Sequence, residues 1–457
     1  PDAGRQAIFS AGTSVGILAQ QLFPGGVDCT PPTYRDFEQS VLDTERAIVE
    51  GAQVIYEAAF LRDGVLAAMD LLVRTDEGWK AYEVKGSTGV KDVYINDAAL
   101  QSYVIEGSIP LVDVSIVYLN NRYVKQGPID VQALFTIVSV KERVALERAH
   151  VPARIEGLKA VLLLPEAPVI DIGPHCDTPY HCDFKAHCWA HVPSPSVFNL
   201  TRAGDKKWEL YGRGILRLSD IPAEEPLRAD QRRQVDACIS GTVSVDREPL
   251  RKWLDALRYP LHHFDFETMN AAVPLYDGTR PFQQLPFQYS LHLQTTPSGP
   301  AEHHEFLADG SGDPREELVQ QLLEDIGPEG DILAYYAPFE RSRLAELARD
   351  LPHHAAALTA LLPRIRDLMD PFKMGWYYAP GMNGSNSIKA VLPALVPELD
   401  YHDLNIQEGA TASMHYSQLA AGTYEGDAVQ LRADLLAYCQ LDTLAMVRVL
   451  AVLEGSC

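Results

Sequence analysis

The rhythm of apolar and polar positions changes several times along the chain, and each change marks a predicted element. Over 33–50 the spacing is helical. Strand-like runs follow at 54–60, 65–73 and 79–85, the last two joined by the turn-forming Thr75-Asp76-Glu77-Gly78. A helix over 97–106 and an alternating strand over 112–119 come next, closed by the Asn120-Asn121 turn. Periodicity is lost over 165–200, where Pro, His and Cys accumulate, and returns as charged-faced helices over 201–255. From His262 a second series begins, with strands at 262–268, 287–294, 302–307 and 331–336 and helices at 314–326, 339–350 and 428–454. No internal repeat is evident. The pattern predicts an α/β protein with one unit at 1–200, a helical connector at 201–257 and a second unit at 258–457.

A length of 457 residues agrees with more than one domain. With 46% hydrophobic and 22% charged residues, the composition is that of a globular chain. No apolar run approaches the roughly 18 uninterrupted residues of a membrane span, and no signal peptide opens the sequence, so a cytoplasmic protein without membrane contact is expected. The net charge of −23 argues against a broad basic surface for nucleic acid. It leaves room for cations held by carboxylates, which place positive charge where a phosphate must sit. Two local basic stretches exist, Lys206, Lys207, Arg213 and Arg217, then Arg228, Arg232, Arg233, Arg247, Arg251 and Lys252. Each reads equally well as a solvated helix face.

Asp70 lies near the end of one predicted strand, and Glu83 and Lys85, two apart on the next, share a face. Burying three such charges costs several kcal/mol unless a metal or partner compensates. A Glu83–Lys85 ion pair leaves Asp70 unexplained. The spacing D-x12-E-x-K, with its helix–strand–strand–strand–helix–strand order, resembles the PD-(D/E)XK (restriction-endonuclease-like) nuclease core in its RecB-like branch. That resemblance spans roughly 30–190. It implies divalent-metal roles for Asp70 and Glu83, a nucleophile-side role for Lys85, and a first acidic position at Glu57. Gln101 and Tyr103 fall near the family's downstream Q-x-x-x-Y helix, with the tyrosine two positions on rather than four. The resemblance gives them a DNA-facing role, and ordinary helix-surface residues are the alternative.

Seven cysteines divide into a triplet at equal steps of six, Cys176, Cys182 and Cys188, and the scattered Cys29, Cys238, Cys439 and Cys457. Three Cys and three His share positions 175–188, a density that reads as metal ligation before disulfides. RecB-like nucleases that close their domain with three cysteines around a [4Fe–4S] cluster resemble this arrangement, although their first gap is shorter. The resemblance implies cluster ligation by the triplet, with Cys29 or a residue upstream of Pro1 as the fourth ligand. Zinc held with His175, His181 or His187 is the alternative.

Asp265 and Glu267 are two apart on an apolar strand and share a face, where like charges side by side call for a cation between them. Far downstream, Tyr438 and Asp442 stand at i and i+4 of a long helix. Together these residues resemble the tyrosine-bearing DEDD 3′→5′ exonucleases of RNase H fold, over about 258–457. The resemblance implies metal ligation by Asp265, Glu267 and Asp442, and a water-orienting or deprotonating Tyr438. Glu340, after Phe339, stands where the family's second motif carries an aspartate. Ser385, Ser387 and Lys389 open a predicted helix and either meet a phosphate or simply cap it.

The whole order resembles bacterial proteins that fuse the two nucleases with a cysteine cluster between. The reading is therefore a hydrolase: a Mg²⁺- or Mn²⁺-dependent nuclease, an exodeoxyribonuclease first, acting on DNA with single-stranded ends favoured, in repair or defence. An RNA-processing exonuclease and a non-catalytic nucleic-acid-binding scaffold are the rivals.

Overall fold

Alternation along the strands of the first half sends successive apolar side chains to opposite faces of one sheet. The computed structural model describes residues 3–33, 35–402 and 404–457, excluding the side chains of 3–8, 10 and 11. In its first unit the helices Ala3–Ala19 (α1), Phe37–Val49 (α2) and Asp92–Ile105 (α3) accompany six strands in sequence order: Val27–Asp28 (β1), Val54–Arg62 (β2), Val65–Thr75 (β3), Gly78–Lys85 (β4), Leu111–Leu119 (β5) and Phe135–Ser139 (β6). The β1/β2 and β4/β5 pairs are parallel and the others antiparallel. Ile55, Met69, Leu72 and Trp79 pack with Ala47 of α2 and Val104 and Ile105 of α3. Their neighbours Tyr56, Leu71 and Tyr82 pack instead with Val15 and Ala19 of α1.

Helix α2 starts at Phe37, later than the spacing predicts, because Thr33 bonds the Asp36 carboxylate at 2.7 Å in a turn before it. Helix α3 starts five residues early, at Asp92, because Tyr94 and Ile95 bury themselves against Val114 and Ile116. The unit also recruits residues 270–283, whose Ala272, Val273 and Phe282 join the α1-side core.

Residues 171–269 and 284–457 make the second unit. The division thus falls at 170 rather than 200. The cysteine segment belongs to this unit, and so does the expected connector. Val197, Leu200, Leu210, Leu218, Ile221 and Val235 form a small core of their own there, so that stretch is packed structure rather than a charged linker. Much of its basic side-chain population is spent internally. Lys206 and Arg213 pair with Glu209 and Glu225, Arg228 with Asp230, and Arg233 with Asp246.

Two short strands, Ser244–Val245 (β7) and Tyr377–Tyr378 (β13), pair with each other. Between them in sequence lie Leu261–Met269 (β8), Leu285–Gln294 (β9), Ala301–Leu307 (β10), Asp331–Ala334 (β11) and Ile365–Asp367 (β12). These five form a mixed sheet ordered β10-β9-β8-β11-β12, an antiparallel meander continued by two strands parallel to β8 and β11. Entry to β11 requires glycine at Gly330, where φ is +80° and a Cβ would stand 1.9 Å from the Pro260 carbonyl oxygen.

The helices of this unit include Arg315–Ile326 (α4), Pro338–Asp350 (α5), Ile388–Leu395 (α6), Gly409–Ala420 (α7) and Ala428–Gly455 (α8). Strand β11 ends two residues before the pattern predicts, because Tyr336 turns to a φ of +72°. By length and composition α8 could cross a membrane, yet half of its apolar window is buried inside the protein. Leu435, Tyr438, Thr443, Met446 and Leu450 are among its buried residues. That is the signature of a core helix.

Candidate functional site

On β8 the two-residue period puts Asp265 and Glu267 on one side of the sheet, within reach of α8. Oxygens of both carboxylates and the Cys439 Sγ lie within 4.8 Å of one another. Asp442 comes from α8, one turn beyond Tyr438, and Glu340 comes from the first turn of α5. A cavity of about 200 Å³ opens between Asp265, Glu267, Tyr335, Lys389, Tyr438 and Asp442. The spacing-based prediction for this cluster therefore brings together side chains 177 positions apart, by the difference 442 − 265.

Burial pushes Asp265 well above the usual carboxylate range, and the charges of Asp442, Glu340 and Glu267 push it further. Glu267 is lifted to about 8 by burial and Asp442, and Glu340 to about 8 by burial and Asp367. Asp442 rises to about 6 through burial, restrained by hydrogen bonds from Tyr401 and Tyr438 and by Lys389. The Tyr401 hydroxyl donates to Asp442 Oδ1 at 2.6 Å. Two buried and two half-buried carboxyl groups face only Lys389, beside Glu267 and Asp442, and the Arg343 guanidinium, beside Glu340, so protons or a cation must relieve the remaining repulsion. Glu340 makes the point most sharply: it is 1% exposed, and its Oε2 has no hydrogen-bond partner. The longer glutamate at this position still reaches the electrostatic field of Asp265 and Glu267.

Lys389 lies 5.6–5.7 Å from the ring centroids of Tyr438 and Tyr401 and donates to the Gln407 carbonyl. Ser387 is the residue before α6, exposed, with its amide on Ser385 Oγ at 3.2 Å and no capping bond from its own side chain. Among the predicted phosphate contacts, Lys389 lines the cavity and Ser387 does not. Burial and the nearby carboxylates hold the Tyr438 hydroxyl far above its ordinary pKa, so it stays a neutral donor.

Sequence reasoning missed Asp367 and Tyr401. Asp367 Oδ1 accepts from the amides of Tyr336 and Met369 at 3.0 Å each, fixing the left-handed Tyr336 at the start of the segment that carries Glu340. Neither residue carries a local signal: each reaches the cluster from a loop or short strand with no repeating partner.

In the first unit, register places Glu57 across from Asp70, bracketed by the pairs Tyr56–Leu71 and Ala58–Met69. Glu57 itself has a φ of +53°, a kink that interrupts β2. Asp70 Oδ2 accepts from the Val84 amide at 2.5 Å, and Lys85 Nζ lies 2.9 Å from Glu83 Oε1 and 3.3 Å from Asp97 Oδ2. Burial raises Asp70 well above its ordinary value, with Glu83 and Glu57 adding to it, and burial raises Glu57 likewise. Burial alone would lower Lys85, but the ion pairs to Glu83 and Asp97 win and keep it charged.

Gln101 does join this group. Its Nε2 donates to Glu83 Oε2 at 2.8 Å and to the Ala68 carbonyl at 3.1 Å, so it positions the glutamate rather than facing a ligand. Tyr103 does not join: its hydroxyl bonds Asp63 at 2.7 Å and its ring lies 4.1 Å from the Arg62 guanidinium.

Cys176, Cys182 and Cys188 carry no disulfide. Successive backbone bonds draw their segment together, from Cys182 N to Cys176 O at 2.9 Å, Lys185 N to Cys182 O at 3.0 Å and Cys188 N to Phe184 O at 3.1 Å. Among the described residues, the groups of three or more ligand atoms within 4.8 Å of one another do not include these thiols, so the backbone draws the segment together without closing a ligand set. The His181 Nδ1 is engaged with Asp177 at 2.9 Å. Cys29 is 2% exposed in the hydrophobic core of the first unit, where burial raises its thiol pKa. It serves there as a small core residue, and the described triplet supplies only three of four ligands.

Residues 262–387 match a family described as a domain of unknown function, DUF2779. The match takes in Asp265, Glu267, Glu340 and Asp367 and ends before Lys389, Tyr438 and Asp442. The chain is 30% identical to "Uncharacterized protein UU173" of Ureaplasma parvum over 174 residues, 35% of this chain and 24% of that protein. It is 25% identical to "Uncharacterized protein MG366 homolog" of Mycoplasma pneumoniae over 207 residues, 41% of this chain and 31% of that protein. These alignments thus span a quarter to a third of the relatives' lengths. No solved structure matches the chain significantly.

Proposed function

We propose that the chain is a divalent-metal-dependent nuclease of the cytoplasm that hydrolyses phosphodiesters of DNA, single-stranded ends first, at two separate carboxylate centres. The observation that carries this reading is the set Asp265, Glu267 and Asp442 lining one cavity, with the buried Glu340 near enough for its charge to raise Asp265 and Glu267. The strand order β10-β9-β8-β11-β12 supports an RNase H-like unit, with β8 supplying the first acidic pair as in the DEDD exonucleases. The helix–strand–strand–strand–helix–strand run from α2 to β5 supports a PD-(D/E)XK unit.

Mg²⁺ or Mn²⁺ held by the quartet would neutralise its charge and supply the Lewis acidity and activated water that phosphodiester hydrolysis needs. Around that centre the protein's own groups divide the work. Tyr401 and Tyr438 orient Asp442 through their hydroxyls, and the Tyr438 oxygen, its one proton given to Asp442, is left as an acceptor that orients a water. Lys389 brings a positive charge to the cavity wall. In the first unit Asp70 and Glu83, with Glu57, would hold the cation, Gln101 holds Glu83 in place, and Lys85 would position the attacking water. Cys176, Cys182 and Cys188 would hold a structural [4Fe–4S] cluster, or zinc, that braces their loop.

The test is cleavage of end-labelled single- and double-stranded DNA and matched RNA, with Mg²⁺ or Mn²⁺, by wild type, Asp70→Ala and Asp265→Ala. Shortening of DNA that each variant loses in part supports the reading. Shortening of RNA alone would move the substrate, and no cleavage of any polymer with either ion would reduce the chain to a binding scaffold.

A further inference from the structure

We infer that Glu316, His353 and His354 form a second kind of metal site, for a transition-metal dication of the zinc class, built from none of the residues of the carboxylate centres. Glu316 lies in the first turn of α4, and the two histidines follow Pro352 in the turn that leaves α5. Neighbouring residues of an extended chain point opposite ways, but this turn aims both imidazoles at one carboxylate. His353 Nε2 stands 2.9 Å from Glu316 Oε2, and His354 Nε2 stands 3.0 Å from Oε1. The three ligand atoms lie within 4.8 Å of one another. One helical turn on, Gln320 Nε2 donates to Glu316 Oε1 at 2.8 Å, the kind of outer support that fixes a ligating carboxylate.

As hydrogen bonds alone, this arrangement requires a proton on Nε2 of both rings. If both rings are also charged, two imidazolium centroids 4.3 Å apart repel across a single carboxylate. A dication replaces the two Nε2 protons and satisfies all three donors together. Two imidazoles and one carboxylate favour Zn²⁺, Co²⁺ or Ni²⁺ over Mg²⁺, whose preference is for oxygen. His353 is 60% exposed, which leaves an entry path and a position for water. The bound ion ties the start of α4 to the end of α5 and stabilises the second unit.

The experiment is equilibrium dialysis of the full chain against Zn²⁺ with excess Mg²⁺ present to fill the carboxylate centres, together with thermal unfolding. Glu316→Gln keeps a hydrogen-bond acceptor for both histidines while removing the anionic ligand, so its fold is checked by circular dichroism and its zinc content compared directly. Wild type should bind about one zinc more per chain than Glu316→Gln or the His353→Ala/His354→Ala double variant. It should also show a zinc-dependent rise in melting temperature that both variants lack. A Cys176→Ser/Cys182→Ser/Cys188→Ser variant should keep that zinc. Equal zinc in wild type and Glu316→Gln, or loss of all zinc in the cysteine variant, would overturn the inference.

Discussion

Glu340 concentrates the physics of the quartet in one side chain. It is buried, its Oε2 is unpartnered, and burial with Asp367 raises its pKa to about 8. Glu267 is likewise raised to about 8, by burial and the charge of Asp442. For a carboxyl group whose folded pKa exceeds its unfolded value, stability is greatest below the unfolded value and falls as pH rises toward the folded one. The metal-free protein should therefore lose stability between about pH 4.5 and 8, and a bound cation should restore it, with Mn²⁺ affinity climbing over the same window as protons leave. Glu340→Gln should raise metal-free stability at neutral pH by about 2 kcal/mol while weakening Mn²⁺ binding at least about tenfold, measured by chemical denaturation and by titration. These positions differ in how visible they are in the sequence. Asp265 with Glu267, and Tyr438 with Asp442, announce themselves through periods of two and four on regular elements. Asp367 and Tyr401 reach the same place from irregular stretches, where no period links a residue to its partner.

The strand β9 and the helix α8 are held together by more than apolar packing. Thr443, fully buried, meets His292 Nδ1 at 2.8 Å and Ser290 Oγ at 2.6 Å. Burial, with His303 nearby, pushes His292 down to about 4 from an ordinary 6.5. The folded state thus keeps a neutral imidazole that the unfolded chain protonates, and stability should fall as pH drops from about 6.5 to about 4, by roughly 1.4 kcal/mol per unit. His292→Gln should flatten that slope in denaturant titrations at pH 7 and pH 5. Thr443→Val, which leaves both partners without their shared hydroxyl, should cost about 2–3 kcal/mol. The core strands and α8 were legible as runs of apolar residues. Helix α1 and strand β6 were not anticipated, and the strand predicted over 331–336 stops at Ala334 because a tertiary contact, Asp367 on the Tyr336 amide, imposes a conformation no strand propensity contains.

Taken as a whole the chain alternates between its two units, since residues 270–283 return to the first after β8 has been laid down in the second. Composition over 165–200 announces a cysteine-rich loop but says nothing of which core will receive it, so the boundary expected at 200 falls at 170. Replacing Cys182 with serine should consequently lower the melting temperature of the second unit. An unchanged melting curve would remove the idea of a metal-braced loop. Each carboxylate centre sits inside its own unit, so Asp70→Ala and Asp265→Ala should abolish separable activities and leave the far-ultraviolet circular dichroism of the chain unchanged. The most direct test counts Mn²⁺ by electron paramagnetic resonance in wild type, Asp70→Asn and Asp265→Asn. The predicted result is that each variant loses only the ions of its own centre. Identical Mn²⁺ binding by all three proteins would contradict the claim that these carboxylates are cation ligands.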